Sequence, residues 1–252
     1  MFKAIAERLR QGRRTIAFPF GPAPELPPRF RGRPELDLAK CAALCGGCAG
    51  VCPTGALSTD PSPTLDMGKC LFCGQCERTC PKGAVKFSGD YRLAVRSRGD
   101  LVLGGGPPKL AAALDGELLK CFGKSLKLRQ VSAGGCNACE ADTNVLNTVG
   151  WDLGLFVISF VASPRHADGL LVTGPVTKNM RLALEKTYAA VPSPKIVIAV
   201  GSCAIAGGPY IGHDEVCGGA DSVIPVDLFI PGCPPHPLTI LDGLLRLIGV
   251  VK

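Results

Sequence analysis

The sequence has few of the residues that most binding and catalytic sites use. Its 252 residues include three histidines, one tryptophan and three tyrosines. His166, His213 and His236 stand at no metal-ligand spacing and are read as structural or surface residues. Aromatic and basic residues do not interleave and no helix-turn-helix pattern occurs, so no nucleic-acid partner is expected. No run of about 18 apolar residues exists, as a membrane-spanning helix would need. The charge-free stretch 196–212 is broken by glycine and proline, and 153–162 is too short to span. A secretion signal is not expected either. The paired Arg13 and Arg14 are followed by proline-rich sequence rather than an apolar helix.

Cysteine is abundant instead, with fourteen copies. A chain of this length and apolar content does not need a disulfide scaffold. The cysteines fall in tight local runs, which suits metal. Thiolates kept reduced imply a reducing compartment.

Charge is uneven. Residues 1–33 hold eight Lys or Arg and two acids, a net +6 of the chain's total +7. Such an arm suits anionic lipid or an acidic partner. Residues 2–11 place Phe2, Ile5, Ala6 and Leu9 at helical spacing among basic residues. Two readings stand for this helix: docked on its own protein, or a foot on a membrane partner or lipid surface. The proline-rich residues 19–34 predict an extended arm.

The first cysteine group holds Cys41, Cys45, Cys48 and Cys52, then Cys70, Cys73, Cys76 and Cys80. The second run is C-x2-C-x2-C-x3-C-P, the bacterial ferredoxin spacing. Three close thiolates hold three corners of a cuboidal cluster, and the cysteine before proline serves the other cluster. This assigns Cys70, Cys73, Cys76 and Cys52 to one cluster and Cys41, Cys45, Cys48 and Cys80 to the other. Paired zinc sites would not need two such runs, each ending in Cys-Pro. The segment Cys52-Pro53-Thr54-Gly55-Ala56-Leu57 matches Cys80-Pro81-Lys82-Gly83-Ala84-Val85, an internal duplication. The first run has one extra residue between Cys41 and Cys45. A bulge at Ala42, Ala43 and Leu44 would absorb it; without Cys41 that site would hold three irons or take another fourth ligand.

A strand or hairpin is predicted over 91–103, a Gly/Pro linker over 104–108 and a helix over 109–120. From Lys127 the pattern turns α/β. Strands are predicted at 128–132, 168–173, 195–200 and 226–230, with helices at 177–190 and 238–248. The last helix is expected to be amphipathic. Cys136, Cys139, Cys203 and Cys233 then follow the C-terminal ends of three different parallel strands, where open α/β sheets bind ligands. Four thiolates converging from three loops make a metal or cluster site. Glu140, beside Cys139, is either a helix N-terminal residue favoured by the dipole or a proton-handling group. Cys121 and Cys217 are read as small core residues.

The stretches GGCNACEAD (134–142), SPRHADGLLVTGPVTKNM (163–180), PKIVIAVGSCAIAGG (194–208) and IPVDLFIPGCPPHP (224–237) resemble the small subunit of energy-converting, membrane-bound [NiFe] hydrogenases. The complex I subunit that carries the quinone-proximal cluster is a close relative of that family. Residues 1–90 resemble the ferredoxin-type subunit of the same complexes, usually a separate chain. The resemblance implies an α+β ferredoxin-like two-cluster module followed by an α/β flavodoxin-like domain with a doubly wound parallel sheet. It places the arm and two-cluster module at 1–103 (cluster core 38–90), a linker and helix at 104–120, and the one-cluster domain at 121–252. It implies that Cys136, Cys139, Cys203 and Cys233 bind one [4Fe-4S] cluster, for three [4Fe-4S] clusters in all.

A [NiFe] centre needs four cysteines of its own, so the resemblance implies an oxidoreductase's electron-transfer subunit whose catalytic centre lies in a partner chain. The implied partners are a catalytic large subunit, membrane-embedded subunits, and a soluble or subunit-bound electron donor. The implied place is cytoplasmic, peripheral on the inner face of the cell membrane. Complex I relatives carry adjacent cysteines where this chain has Cys136-Asn137-Ala138-Cys139, which favours hydrogenase over the alternative, a complex I-like enzyme passing electrons to quinone.

Overall fold

The computed structural model describes residues 2–12, 14–41, 45, 47–122 and 125–252. The bulge expected at 42–44 lies outside the described residues. Helix α1 (Phe2–Gln11) forms as its periodicity predicts, and none of its residues is buried. Phe2, Ile5 and Leu9 are all exposed, so the helix does not dock on the rest of the described chain.

The proline-rich arm forms neither helix nor strand until β1 (Pro34–Leu36). It runs against the C-terminal half. Ile16 N–H donates to Gly150 O at 2.9 Å. Phe18 packs edge-on to Tyr91 with ring centres 5.9 Å apart, and Phe30 meets the His236 ring at 5.4 Å.

The cysteine-rich segment has short elements: α2 (Gly47–Gly50), β2 (Leu57–Ser58), β3 (Thr64–Asp66), α3 (Gln75–Thr79) and β4 (Val85–Phe87). β1 pairs antiparallel with β4, and β2 with β3. Residues 91–103 contribute less strand than expected. Val95 bridges Phe229 of the second half, a single turn of 3₁₀ helix spans Arg98–Leu101, and β5 (Val102–Leu103) joins β3. The helix expected over 109–120 shortens to α4 (Gly116–Phe122). Asp115 sets its start: its Oδ1 accepts from the N–H groups of Glu117 and Leu118 at 3.2 and 2.9 Å, an N-cap signal.

The second half is α/β: β6 (Leu126–Ser132), α5 (Ala138–Val145), β7 (Ile158–Phe160), β8 (Gly169–Thr173), α6 (Lys178–Ala190), β9 (Ile196–Val200), α7 (Ser202–Ala206), β10 (Leu228–Ile230) and α8 (Pro237–Leu247). The five strands form one parallel sheet in the order β7-β6-β8-β9-β10. Counted within this half, the order is 2-1-3-4-5, the flavodoxin-like one. Every residue of β8 and β9 is buried, as strands covered on both faces require.

Helix α8 differs from expectation. All of its residues are buried, including Asp242 and Arg246. Its outer side is covered by the first half. A Cβ on Gly243 would lie 2.9 Å from Ala94 Cβ, and Phe18 and Ala94 share the buried cluster that contains Leu241 and Leu244. A second buried cluster is continuous between the halves, joining Leu57, Leu65, Met67 and Val85 to Val172, Val197 and Phe229. Each such large side chain contributes on the order of 1.5–3 kcal/mol on burial.

Candidate iron–sulfur centres

The duplicated Cys-Pro segments fold alike. Gly55 and Gly83 both take positive φ, 59° and 60°, a conformation that glycine adopts without strain. The turn brings the N–H of Ala56 to Cys52 Sγ and the N–H of Ala84 to Cys80 Sγ, each at 3.2 Å. Burial works against both thiolates, but surrounding backbone N–H groups outweigh it and hold both thiols below their ordinary pKa.

Cys52 then lines a small space with Cys70, Cys73 and Cys76. The side chains of Leu57, Leu65 and Phe87 make it largely apolar. A second small space is lined by Cys41, Cys45, Cys48 and Cys80. Cys52 thus stands with the second run and Cys80 with the first. Phe72 has φ 53° and Gly74 φ 73°, so the chain turns tightly between Cys70 and Cys76. The Phe72 N–H reaches Cys70 Sγ at 3.3 Å. Burial pushes Cys70 up to about 12 and Cys76 up to about 11, so these thiols give up their protons only in exchange for a cation.

The third group stands on the sheet. Cys136 and Cys139 follow β6, Cys203 lies in α7 after β9, and Cys233 follows β10. The four interact electrically. Burial raises the Cys139 thiol, and Cys203, Glu140, Cys233 and Cys136 raise it further. Burial raises Cys203 to about 11, with Cys233 and Cys136 adding to it. Glycine makes room for the sulfurs. A Cβ on Gly201 would lie 2.5 Å from Cys139 Sγ, and one on Gly208 2.5 Å from Cys203 Sγ.

These surroundings fit iron–sulfur clusters. Among the described residues, no three His, Cys, Asp or Glu side chains are grouped tightly enough to hold a single ion. The first eight cysteines line two spaces, and N–H groups reach the sulfurs of Cys52, Cys70 and Cys80, as thiolate ligands of an iron–sulfur core need.

The middle group adjoins both of the others: it shares its two cysteine runs with the first, and Ser202 Oγ, beside Cys203 of the third, lies against Cys70 O. Cys76, of the middle group, is raised first by burial and then by Cys73, Cys52 and Cys48, the last belonging to the first group. Cys233, of the third group, is raised by burial, by Cys136 and by Cys73 of the middle group. Cys73, Cys136 and Cys233 are exposed.

Glu140 lies in the first turn of α5 and is buried. Its Oε1 accepts from Ser132 Oγ at 2.5 Å and Thr173 Oγ1 at 2.7 Å, so a satisfied polar site holds it beside Cys139. Cys217 packs half-buried against the core, but Cys121 is exposed rather than a core residue. His236 caps α8, its Nδ1 accepting from Leu238 N–H at 3.1 Å. Burial holds its pKa below the usual range. Ser202 joins the middle and third groups, a role no motif announces. Its Oγ lies 2.5 Å from Cys70 O.

Two four-cysteine groups in ferredoxin-type runs, joined to a parallel sheet that carries a third group, define an iron–sulfur subunit of the kind found in hydrogenase and complex I-like oxidoreductases. Two family models match: a 4Fe-4S dicluster domain over residues 40–84 and the NADH ubiquinone oxidoreductase, 20 Kd subunit, over residues 136–247. The probable membrane-bound hydrogenase subunit mbhJ of Pyrococcus furiosus is 41% identical over 51% of this chain and 77% of its own length. The chain belongs to the NADH ubiquinone oxidoreductase 20 Kd subunit family, with a 4Fe-4S dicluster domain ahead of the family's fold.

Formate hydrogenlyase subunit 7 of Escherichia coli is 41% identical over 56% of this chain. The match spans about half of that subunit, 55% of it. A chain of the membrane-bound sulfane sulfur reductase, an archaeal respiratory membrane complex, is 34% identical over 54% of this chain and 75% of its own, with a TM-score of 0.47. Among the described residues, no helix is long and apolar enough to cross a membrane.

Proposed function

We propose that the chain relays single electrons through three [4Fe-4S] clusters, held in turn by Cys41, Cys45, Cys48 and Cys80; by Cys52, Cys70, Cys73 and Cys76; and by Cys136, Cys139, Cys203 and Cys233. The observation that carries this reading is the adjacency of the groups: Cys52 stands with the second run and Cys80 with the first, and Ser202 Oγ, beside Cys203, lies 2.5 Å from Cys70 O. When bound, each cluster accepts and releases one electron at a potential set by its surroundings. The chain's own residues supply those surroundings. Ala56 and Ala84 N–H groups stabilise thiolate charge, and Leu57, Leu65 and Phe87 give the middle site an apolar lining.

The 20 Kd subunit family and the hydrogenase relatives support a [NiFe]-bearing large subunit as the electron partner, with Cys136 and Cys233 exposed toward it. The donor is a soluble carrier or another subunit, delivering electrons to the two-cluster segment. This reading keeps 1–103 as arm and two-cluster module, 104–120 as linker and helix and 121–252 as the one-cluster domain. The subunit sits peripherally on the inner face of the cell membrane, beside membrane-embedded subunits, with basic α1 turned toward them. The two residues between Cys136 and Cys139 favour hydrogenase over a quinone-reducing complex.

Anaerobic purification tests the reading. About twelve iron and twelve labile sulfide per chain are expected from three four-iron clusters. About four iron would overturn it, and about eleven would mean a three-iron site around Cys45, Cys48 and Cys80. A co-purifying large subunit with two C-x-x-C pairs distinguishes hydrogenase from the quinone-reducing relative.

A further inference from the structure

The middle and third groups belong to different halves of the chain, and one side chain touches the ligand-bearing backbone of both. Ser202 is 1% exposed. Its Oγ lies 2.5 Å from the carbonyl oxygen of Cys70 and 3.1 Å from that of Gly232. Cys70 is a ligand of the middle group, and Gly232 directly precedes Cys233 of the third. The Gly232 oxygen already accepts the Ser202 backbone N–H at 2.8 Å. A hydroxyl has one proton to give, and the shorter contact places it on the Cys70 carbonyl. Ser202 also directly precedes Cys203, so its backbone is continuous with a third-group ligand.

The docking of the halves does not depend on this bond. Val95 and Phe229 exchange two backbone hydrogen bonds, at 3.0 and 2.9 Å. A Cβ on Gly68 would lie 2.8 Å from Ile205 Cγ2, which shows how closely the loop before Cys70 rests on α7. The buried cluster is continuous across the joint. What the hydroxyl adds is a short bonded route, in a dry setting, between the backbones that hold two redox sites. A hydrogen bond in such a low-dielectric site is strongly polarised.

We infer that Ser202 is a positioning residue for electron exchange: its hydroxyl provides the bonded path between the cluster on Cys70 and the cluster on Cys203 and Cys233. The inference rests on the three-cluster reading. The transfer moves one electron from the reduced to the oxidised site; no bond is made or broken, and the Ser202 proton stays in place.

The test uses the full chain with its clusters, fully reduced under anaerobic conditions. Multifrequency electron paramagnetic resonance separates through-bond exchange from through-space dipolar interaction between the middle and third sites. Wild type and Ser202→Thr should show the exchange splitting. Ser202→Ala should lose it while keeping the dipolar part, because the halves stay docked. Ser202→Cys, of similar size with a weak donor, should weaken it and gives the reading should Ser202→Ala fail to assemble. Ser222→Ala is the control. Ser222 Oγ also lies near two carbonyl oxygens, of Cys217 at 2.6 Å and Gly219 at 2.7 Å, but inside one half, and its loss should leave the splitting unchanged.

Amide hydrogen exchange over 66–72 and 202–206 should match wild type in Ser202→Ala. Faster exchange there would overturn the inference by showing that the hydroxyl merely holds the halves together. An unchanged splitting in Ser202→Ala and Ser202→Cys would also overturn it. If wild type itself shows no interaction between the two sites, the three-cluster reading is what fails.

Discussion

Arg246 Nε meets Asp242 Oδ2 at 2.8 Å within α8, and the two side chains are only 4% and 1% exposed. Asp242 Oδ1 has no hydrogen-bond partner among the described residues. Burial raises the Asp242 pKa, and Arg246 pulls it back only in part. Removing one partner leaves the other charged and buried, whereas an apolar pair of similar volume removes both costs. Arg246→Met should therefore destabilise the protein by about 3–5 kcal/mol. Adding Asp242→Leu should recover most of that loss. Anaerobic thermal unfolding of the single and double variants checks this; a double variant no better than Arg246→Met would refute it.

The exchange of Cys-Pro cysteines between runs gives crossed mutant phenotypes. Cys80→Ala should damage the cluster held by Cys41, Cys45 and Cys48 and spare the one held by Cys70, Cys73 and Cys76. Cys233→Ala should remove only the third cluster. Spectra of each variant decide; loss of the Cys70 cluster alone in Cys80→Ala would mean that each run serves itself.

Gly201 adopts φ 90°, and its added Cβ would lie 2.5 Å from Cys139 Sγ. Gly201→Ala is expected to lose the third cluster selectively, lowering iron by about four per chain. Iron analysis with the two-cluster signals intact would bear this out. Full iron content would show that the α7 turn can shift to admit a methyl group.

Deleting residues 2–14 should weaken attachment to the membrane-bound assembly without changing any cluster spectrum. The exposed Phe2, Ile5 and Leu9 and the basic residues between them suit an anionic surface. Raising salt should loosen a lipid contact more than a packed protein contact. Equal recovery of full-length and truncated chains in the membrane fraction would remove this role from α1.

The cysteine groups were legible because cluster chemistry imposes local spacing and the duplication repeats it. β8 and β9 were legible for another reason: strands buried on both faces must be apolar throughout. β7 was not, since Ile158-Ser159-Phe160 is three residues long and follows a turn of 3₁₀ helix at Leu153–Phe156. The full burial of α8 was hidden because its cover comes from Phe18 and Ala94, far away in sequence. Ser202 was hidden likewise, as its partner Cys70 lies 132 residues away. Local patterns fix an element's type, while distant contacts decide what covers it.

The proline-rich arm also sets an order of events during synthesis. Ile16 waits for Gly150, Phe18 for Tyr91 and Phe30 for His236. At a few to about twenty residues per second, many seconds separate the ribosomal exit of Phe30 from that of His236. Phe18 and Tyr91 can meet as soon as the first half is made, whereas Phe30 can reach His236 only after the chain through β10 has been synthesised.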